Sequence, residues 1–421
     1  MSIEVSQLAN GISVVTNNMK NMESVALGIW IKAGSRHEGV DQHGVAHLLE
    51  HMAFKGTENR SAFKIATDIE DVGGEINAAT SVENTAYFAR VLKEDMPLAV
   101  DILADILVAS QFDEEELERE KHVVLQEIGA AHDTPDDIIF DHFSARAFYQ
   151  QALGRPILGT PETVRGFQAK DLRRFMGEQY SGDRMVIVAA GAVEHQHFRH
   201  EIESRLGKFQ ADASASDAEQ GRYIGGDFRE SRELLDAQIV LGFEGRAFHM
   251  PDFYATQLLA MVLGGGMSSR LFQEIREKRG LCYSIYASHW GFSDTGLFAI
   301  HAATGREGLE SLLPVIIDEL HKACETITEV EVDRARAQYR SSLMMAQESP
   351  VSRAHMIARQ VLLYGRPIPT SESMERLALI TPAHLHDLAT RLFFESAPTL
   401  AALGPIDSLM DYGHLKGLLS H

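Results

Sequence analysis

His43-Gly44-Val45-Ala46-His47-Leu48-Leu49-Glu50-His51-Met52-Ala53-Phe54-Lys55-Gly56-Thr57 is the stretch on which the reading of this chain turns. On a helix, His47 and His51 are four residues apart and share a face, the spacing that lets two imidazoles hold one metal ion. Glu50 precedes the second histidine by one residue, so its carboxylate reaches the same side. Gly56 offers a helix stop. A helix with two half-buried histidines and a surface glutamate would look the same in isolation. The surrounding sequence separates the two readings.

Working outward, residues 12–16 and 25–31 read as strands before the motif, with Asn17-Asn18 as the turn between them. After it, residues 63–72 form an amphipathic segment closed by Gly73-Gly74. Two further strands are expected at 75–80 and 85–92. The pattern then turns helical over 96–109. Asp113 reads as an N-cap, with Glu114, Glu115 and Glu116 in the first turn of a helix reaching about Ala131. Another helix is expected over 136–149 and a buried strand over 185–191.

The second half of the chain echoes the first. Leu153-Gly154-Arg155-Pro156-Ile157 recurs 211 positions later as Tyr364-Gly365-Arg366-Pro367-Ile368, and Asp113–Arg119 resembles Thr328–Arg334 at an offset of 215. Two pairs at nearly one offset point to a duplicated domain. The small, polar run 211–226 reads as the linker, giving a first domain over 1–210 and a second over 227–421. The fold class expected is α+β: two duplicated α/β domains, each a mostly antiparallel sheet with helices packed on one face.

The chain has 421 residues, 45% hydrophobic and 24% charged, which suits a globular protein of more than one domain. Its net charge of -21, from 60 acidic and 39 basic residues, argues against nucleic-acid and anionic-membrane partners. It would favour basic peptides. Cys282 and Cys324 give no disulfide framework. The N-terminal residues carry no secretory pattern, and no apolar run approaches about 18 residues. A cytoplasmic location is therefore expected.

Two histidines leave a catalytic zinc one protein ligand short. Candidates stand in Glu120-Lys121-His122-Val123-Val124-Leu125-Gln126-Glu127-Ile128, where Glu120 and Glu127 share a helix face. Glu127, flanked by Val124, Leu125 and Ile128, lies near the buried side, where a carboxylate needs a partner. Such a set has every part of a hydrolytic site. Zinc acidifies its water and polarises a carbonyl. Glu50 would take the proton and pass it to the leaving amine. Glu120 could hydrogen-bond a ligating histidine.

H-x-x-E-H is the reverse of H-E-x-x-H and a known zinc-peptidase pattern. With a glutamate 76 positions after His51, it resembles the M16 (pitrilysin, or inverzincin) family. Met52–Thr57, Asn77–Tyr87 and Glu120–Ile128 are similar to that family too. The chain length matches its short-chain branch, which includes mitochondrial processing peptidase and bacterial relatives. The resemblance implies one Zn2+ per chain on His47, His51 and Glu127, with Glu50 as catalytic base and Glu120 behind a ligating histidine. It implies that Asn77-Ala78-Ala79 lies on the edge strand that binds extended substrate, and that Phe54 receives a side chain just past the cleaved bond. Arg276 and Tyr283 resemble the family's substrate-binding and oxyanion-stabilising pair. Asp137 and Asp141 match acidic positions that hold a basic residue upstream of the cleavage point.

The resemblance further implies that the chain is half of a clamshell. Because it keeps both the metal set and the Arg/Tyr pair, a homodimer with two complete sites is expected. The function implied is zinc endopeptidase action on unfolded peptides or presequence-like segments. The alternatives are a non-catalytic structural subunit, or a catalytic subunit that needs an unlike partner. Glu194, His195, His197 and His200 form a second histidine-rich run, but their spacing fits no ligand set.

Overall fold

A computed structural model describes residues 2–211 and 217–420. The alternating N-terminal segments form a six-stranded sheet. Its strands are β1 (Ser2–Gln7), β2 (Ser13–Asn18), β3 (Ser24–Ile31), β4 (Glu75–Thr80), β5 (Thr85–Leu92) and β6 (Met185–Gly191). The spatial order is β1-β2-β6-β3-β5-β4. Only β2 and β6 run parallel. A second sheet holds β7 (Gly226–Ser231), β8 (Asp236–Glu244), β9 (Ser284–Gly291), β10 (Gly296–Gly305) and β11 (Thr399–Gly404), ordered β7-β11-β8-β10-β9. There only β7 and β11 run parallel.

Without β1, the two sheets have the same order and the same strand directions. Each strand of the second begins 209 to 214 residues after its counterpart: Ser13 and Gly226, Ser24 and Asp236, Glu75 and Ser284, Thr85 and Gly296, Met185 and Thr399. The duplication read from two short echoes is a duplication of topology.

One face of the first sheet, with Leu27, Ile29, Tyr87, Ala89, Ile187 and Ala189, is buried against helices. These include α1 (Val45–Ala53), α2 (Ala62–Glu70) and α3 (Met96–Val108). The chain then continues through α4 (Glu114–His132), which packs Leu117 and Val124 into the same core, to α5 (Pro135–Ala147), which does not cover this sheet. Asp113 caps α4 as expected, its Oδ1 accepting from the Glu115 and Glu116 amides at 2.9 and 3.1 Å. The second sheet buries Ile239, Leu241, Phe243, Phe298 and Ile300 against α6 (Phe253–Gly264), α7 (Leu309–Thr326) and, beyond α8 (Pro350–Tyr364), α9 (Pro382–Phe394).

Each sheet also carries one helix on its other face, and these two helices are exchanged between the halves of the chain. One compact unit comprises Met1–Gly129, Arg155–Glu219 and Met344–Ile368. The other comprises Ala130–Gly154, Gln220–Leu343 and Pro369–His421. In the first, Ala354, Ile357, Ala358 and Val361 of α8 cover Val15, Trp30, Val186, Val188 and Ala190. In the second, α5 lies on β11 and β8, with Phe143 so close to Gly242 that a Cβ there would meet the ring at 2.3 Å. The helices are counterparts, since Pro135 and Pro350 open them 215 residues apart, as Glu114 and Glu329 open the helices before them. Of the expected linker 211–226, residues 212–216 lie outside the described residues.

Candidate metal centre

Helix α1 is held at its start by an acceptor that sequence reading missed. Glu38, 3% exposed, accepts from the Gly44 amide through Oε2 (2.9 Å) and from the Ala46 amide through Oε1 (2.8 Å). It thereby satisfies two donors that a helix N-terminus leaves free. Gly44 itself has φ +93°, and a Cβ there would meet the Gly159 backbone at 2.8 Å, so only glycine fits. Val45, Leu48, Leu49 and Met52 turn into the core. By helical periodicity the remaining stripe presents His47, Glu50 and His51 together.

Helix α4 supplies the third group. Glu127 Oε2 lies 3.7 Å from His47 Nε2 and 3.6 Å from His51 Nε2. These separations are too long for hydrogen bonds. They are close to the roughly 3.3 Å between two ligands of a tetrahedral zinc with bonds of about 2.0–2.1 Å. The three residues form the only His/Cys/Asp/Glu group among the described residues whose ligand atoms all lie within 4.8 Å of one another. Burial, reinforced by the neighbouring His51, pulls His47 down to about 4. Its imidazole is therefore neutral at pH 7, the form that binds metal. Glu120, on the buried side of α4, pairs with His51 Nδ1 at 3.0 Å and with Lys55 Nζ at 2.6 Å. That contact fixes the His51 tautomer with its Nε2 lone pair towards Glu127. The donor set and its spacing fit zinc.

Glu50 is not part of the cluster. Its Oε2 accepts from the Thr80 hydroxyl at 2.5 Å. Burial raises its pKa, which the Thr80 contact and His51 partly oppose. Beneath it, Tyr87 and Tyr180 are fully buried and share a 3.1 Å contact between hydroxyls. Thr80, like Glu38, was not singled out from the sequence. The available signal was its place two residues beyond Ala78 on the metal-facing side of β4.

Asn77, Ala78 and Ala79 lie on β4, the edge strand of the first sheet. The β4–β5 hairpin closes with Ser81 N donating to Asn84 O at 2.8 Å. By antiparallel alternation, Ile76, Ala78 and Thr80 therefore point their N–H and C=O groups to the open edge. Asn77 Oδ1 covers the Ala78 amide at 2.8 Å. Phe54 packs half-buried against the core, its ring 6.4 Å from that of Tyr87.

The remaining expected residues belong to the second unit. Arg276, on a π-helical turn (Phe272–Glu277), lies over the Tyr283 ring at 5.7 Å and the Phe272 ring at 4.5 Å. Tyr283 is 81% exposed. Asp137 and Asp141 lie one turn apart on α5. Burial, with the charge of Asp137 added, raises Asp141 to about 6. Tyr286 of β9 and His301 of β10 feel the charges of the same acidic turn. In the second histidine run, Glu194 caps a helix through the Gln196 and His197 amides, and His195 lies between the Thr16 and Ser6 hydroxyls.

Residues 13–161 match the family described as insulinase (peptidase family M16), and residues 166–339 match the peptidase M16 inactive domain. The chain belongs to the M16 peptidase family. Among its relatives, an uncharacterized zinc protease of Rickettsia bellii is 40% identical over 96% of this M16 chain and 98% of its own length. A probable beta subunit of mitochondrial-processing peptidase from Arabidopsis thaliana is 34% identical over 98% of this chain and 80% of its own. A protease from Helicobacter pylori superimposes with a TM-score of 0.90 at 22% identity, over 96% and 99% of the two chains, and so shares the fold. M16 membership supports a peptidase, and relatives named zinc proteases make zinc the metal that this cluster suits.

Proposed function

We propose that this protein is a zinc-dependent endopeptidase that hydrolyses unfolded peptides or presequence-like segments. The observation that carries the reading is the convergence of His47 Nε2, His51 Nε2 and Glu127 Oε2, with Glu50 on the same stripe of α1. His47, His51 and Glu127 would hold one zinc ion per chain, which when bound supplies Lewis acidity and an acidified water.

The chain's own residues account for the rest. Glu50 takes the proton of the attacking water and delivers it to the leaving amine. The Thr80 hydroxyl orients that carboxylate, and Glu120 holds the His51 ring. The open edge of β4 at Ile76, Ala78 and Thr80 aligns the peptide by main-chain hydrogen bonds, which suits any extended sequence. Phe54 forms an apolar wall for a side chain past the cleaved bond. Arg276 and Tyr283 donate to the developing oxyanion. Asp137 and Asp141 attract a basic residue; Asp141 has no cation partner among the described residues, so a substrate guanidinium would supply one. Two copies would enclose the substrate in a chamber that excludes folded proteins.

The test is paired. Elemental analysis should find one zinc per chain, and the wild type should cleave a quenched peptide carrying one arginine. Glu50→Gln should keep the zinc and lose the cleavage. Absence of zinc, or a mutant as fast as wild type, would overturn the reading. A second reading is favoured by the relative named as a beta subunit: a catalytic subunit that needs an unlike partner. Light scattering on the pure chain decides between them. Activity in a particle near twice 46.6 kDa excludes the unlike partner.

A further inference from the structure

The first unit has a pocket that the reaction described so far does not use. It lies on the α8 face of the sheet, away from the metal cluster, and encloses about 340 Å³. Trp30 and Phe88 form its floor, His355, Ala354 and Val351 of α8 one wall, and Asn77 of β4 its outer rim. That volume falls in the range of small-ligand sites. The pocket is built rather than incidental. His355 stands edge-on to Trp30 and Phe88, with ring centroids 5.0 and 4.8 Å apart, and its Nδ1 accepts from Trp30 Nε1 at 3.3 Å.

The edge strand connects this pocket to the substrate. On β4, Ile76, Ala78 and Thr80 face the metal side, whereas Glu75, Asn77 and Ala79 face the pocket side. A peptide added antiparallel to the open edge must alternate in the same way. Its residues opposite Ala78 and Thr80 face the metal cluster, and the residue opposite Asn77 faces the pocket. We infer that this pocket is a specificity subsite, taking a large apolar or aromatic side chain of the bound peptide three residues from the one beside Thr80. The inference rests on the peptidase reading.

The chemistry of the lining selects the occupant. The floor and wall are aromatic and aliphatic. The one carboxylate at the rim, Glu75, is paired with the lining Arg90 at 2.8 Å, and His355 Nδ1 accepts from Trp30 Nε1. No free charge is available for a charged side chain, and a neutral apolar one would displace water from an apolar surface.

The experiment uses the purified full-length protein with zinc. Quenched peptides of one backbone carry phenylalanine or glycine, moved one position at a time across the cleaved bond. In the wild type, one position two to four residues from that bond should favour phenylalanine in kcat/KM by about ten- to a hundredfold, the range expected for burying such a side chain. Val351→Phe, which fills the pocket, should bring that ratio near unity. His355→Ala, which widens it, should shift the preference towards tryptophan. Val5→Phe on β1, at the far edge, should leave the ratio as in the wild type. Cleavage without any positional preference, or a preference that survives both pocket variants, overturns the subsite but leaves the peptidase standing. No cleavage of any peptide by zinc-loaded wild type overturns the peptidase reading instead.

Discussion

Glu120 offers the most exacting test of the proposed metal centre, because it would act on a bound zinc only through His51. Its carboxylate is 8% exposed and holds two partners, His51 Nδ1 at 3.0 Å and Lys55 Nζ at 2.6 Å. Glu120→Gln keeps an acceptor for the His51 N–H but loses the charge that makes the imidazole a stronger donor. Glu120→Ala loses both. Partners of ligating histidines contribute about 10- to 100-fold in metal affinity. Glu120→Gln should therefore weaken zinc binding about tenfold and Glu120→Ala about a hundredfold, or roughly 1.4 and 2.7 kcal/mol. Competition with a chromogenic chelator measures this directly, without substrate. Circular dichroism of the apo proteins checks that the fold persists. If both variants bind zinc within about threefold of wild type while folded, the His51–Glu120 contact does not tune the metal, and the account of the site fails there.

Thr80→Val removes the hydroxyl that Glu50 accepts from. It should lower kcat about tenfold, with zinc content unchanged, as expected for losing a hydrogen bond to a charged group in a half-buried site. Equal kcat would show that Glu50 needs no such orientation. Glu38→Ala leaves the Gly44 and Ala46 amides without an acceptor, and should cost about 2–4 kcal/mol in denaturant unfolding. A loss below about 0.5 kcal/mol would mean that water replaces the carboxylate. Asp141, raised to about 6 from an ordinary 3.8, binds its proton more tightly folded than unfolded. Its contribution to stability is therefore full below about 4 and lost as pH rises towards 6. Asp141→Asn should abolish that loss, raising the melting temperature at pH 7 relative to wild type but not at pH 4. In the wild type, preference for an arginine peptide over its neutral analogue should grow as pH rises through 6, and Asp141→Asn should flatten it. A wild-type preference independent of pH would remove Asp141 from substrate recognition.

The grouping of His47, His51 and Glu127 was legible because it depends on two local periodicities and one helix-to-helix contact. His47 and His51 share a face by spacing alone, and Glu127 stood out by its apolar neighbours. The hairpin of β4 and β5 was legible because its alternation is clean and short in range. Glu38 was hidden because a loop carries it back across six to eight residues, and no cap residue stands at the usual position before α1. Thr80 was hidden because a strand threonine has an ordinary reason to be there. β1 was not singled out: as an edge strand it leaves Val5 53% exposed and buries too little to impose a pattern. The echo of the halves revealed duplication but not the exchange of α5 and α8. Alternation shows that Val15, Trp30 and Val188 need a cover, and does not say which segment supplies it.

That exchange constrains synthesis. The first sheet has all its strands once Gly191 has been made, yet the helix that seals its second face begins only at Pro350. At about 5–20 residues per second, a ribosome takes roughly 8–30 s to cross that interval. Throughout it, Trp30 and the valines beside it lack their covering helix, and the nascent chain presents an apolar sheet face to whatever it meets. A gene split at the linker would make the interval permanent. Neither fragment could seal its sheet alone, and each would need the other in trans, which makes the paired fragments a ready complementation reporter.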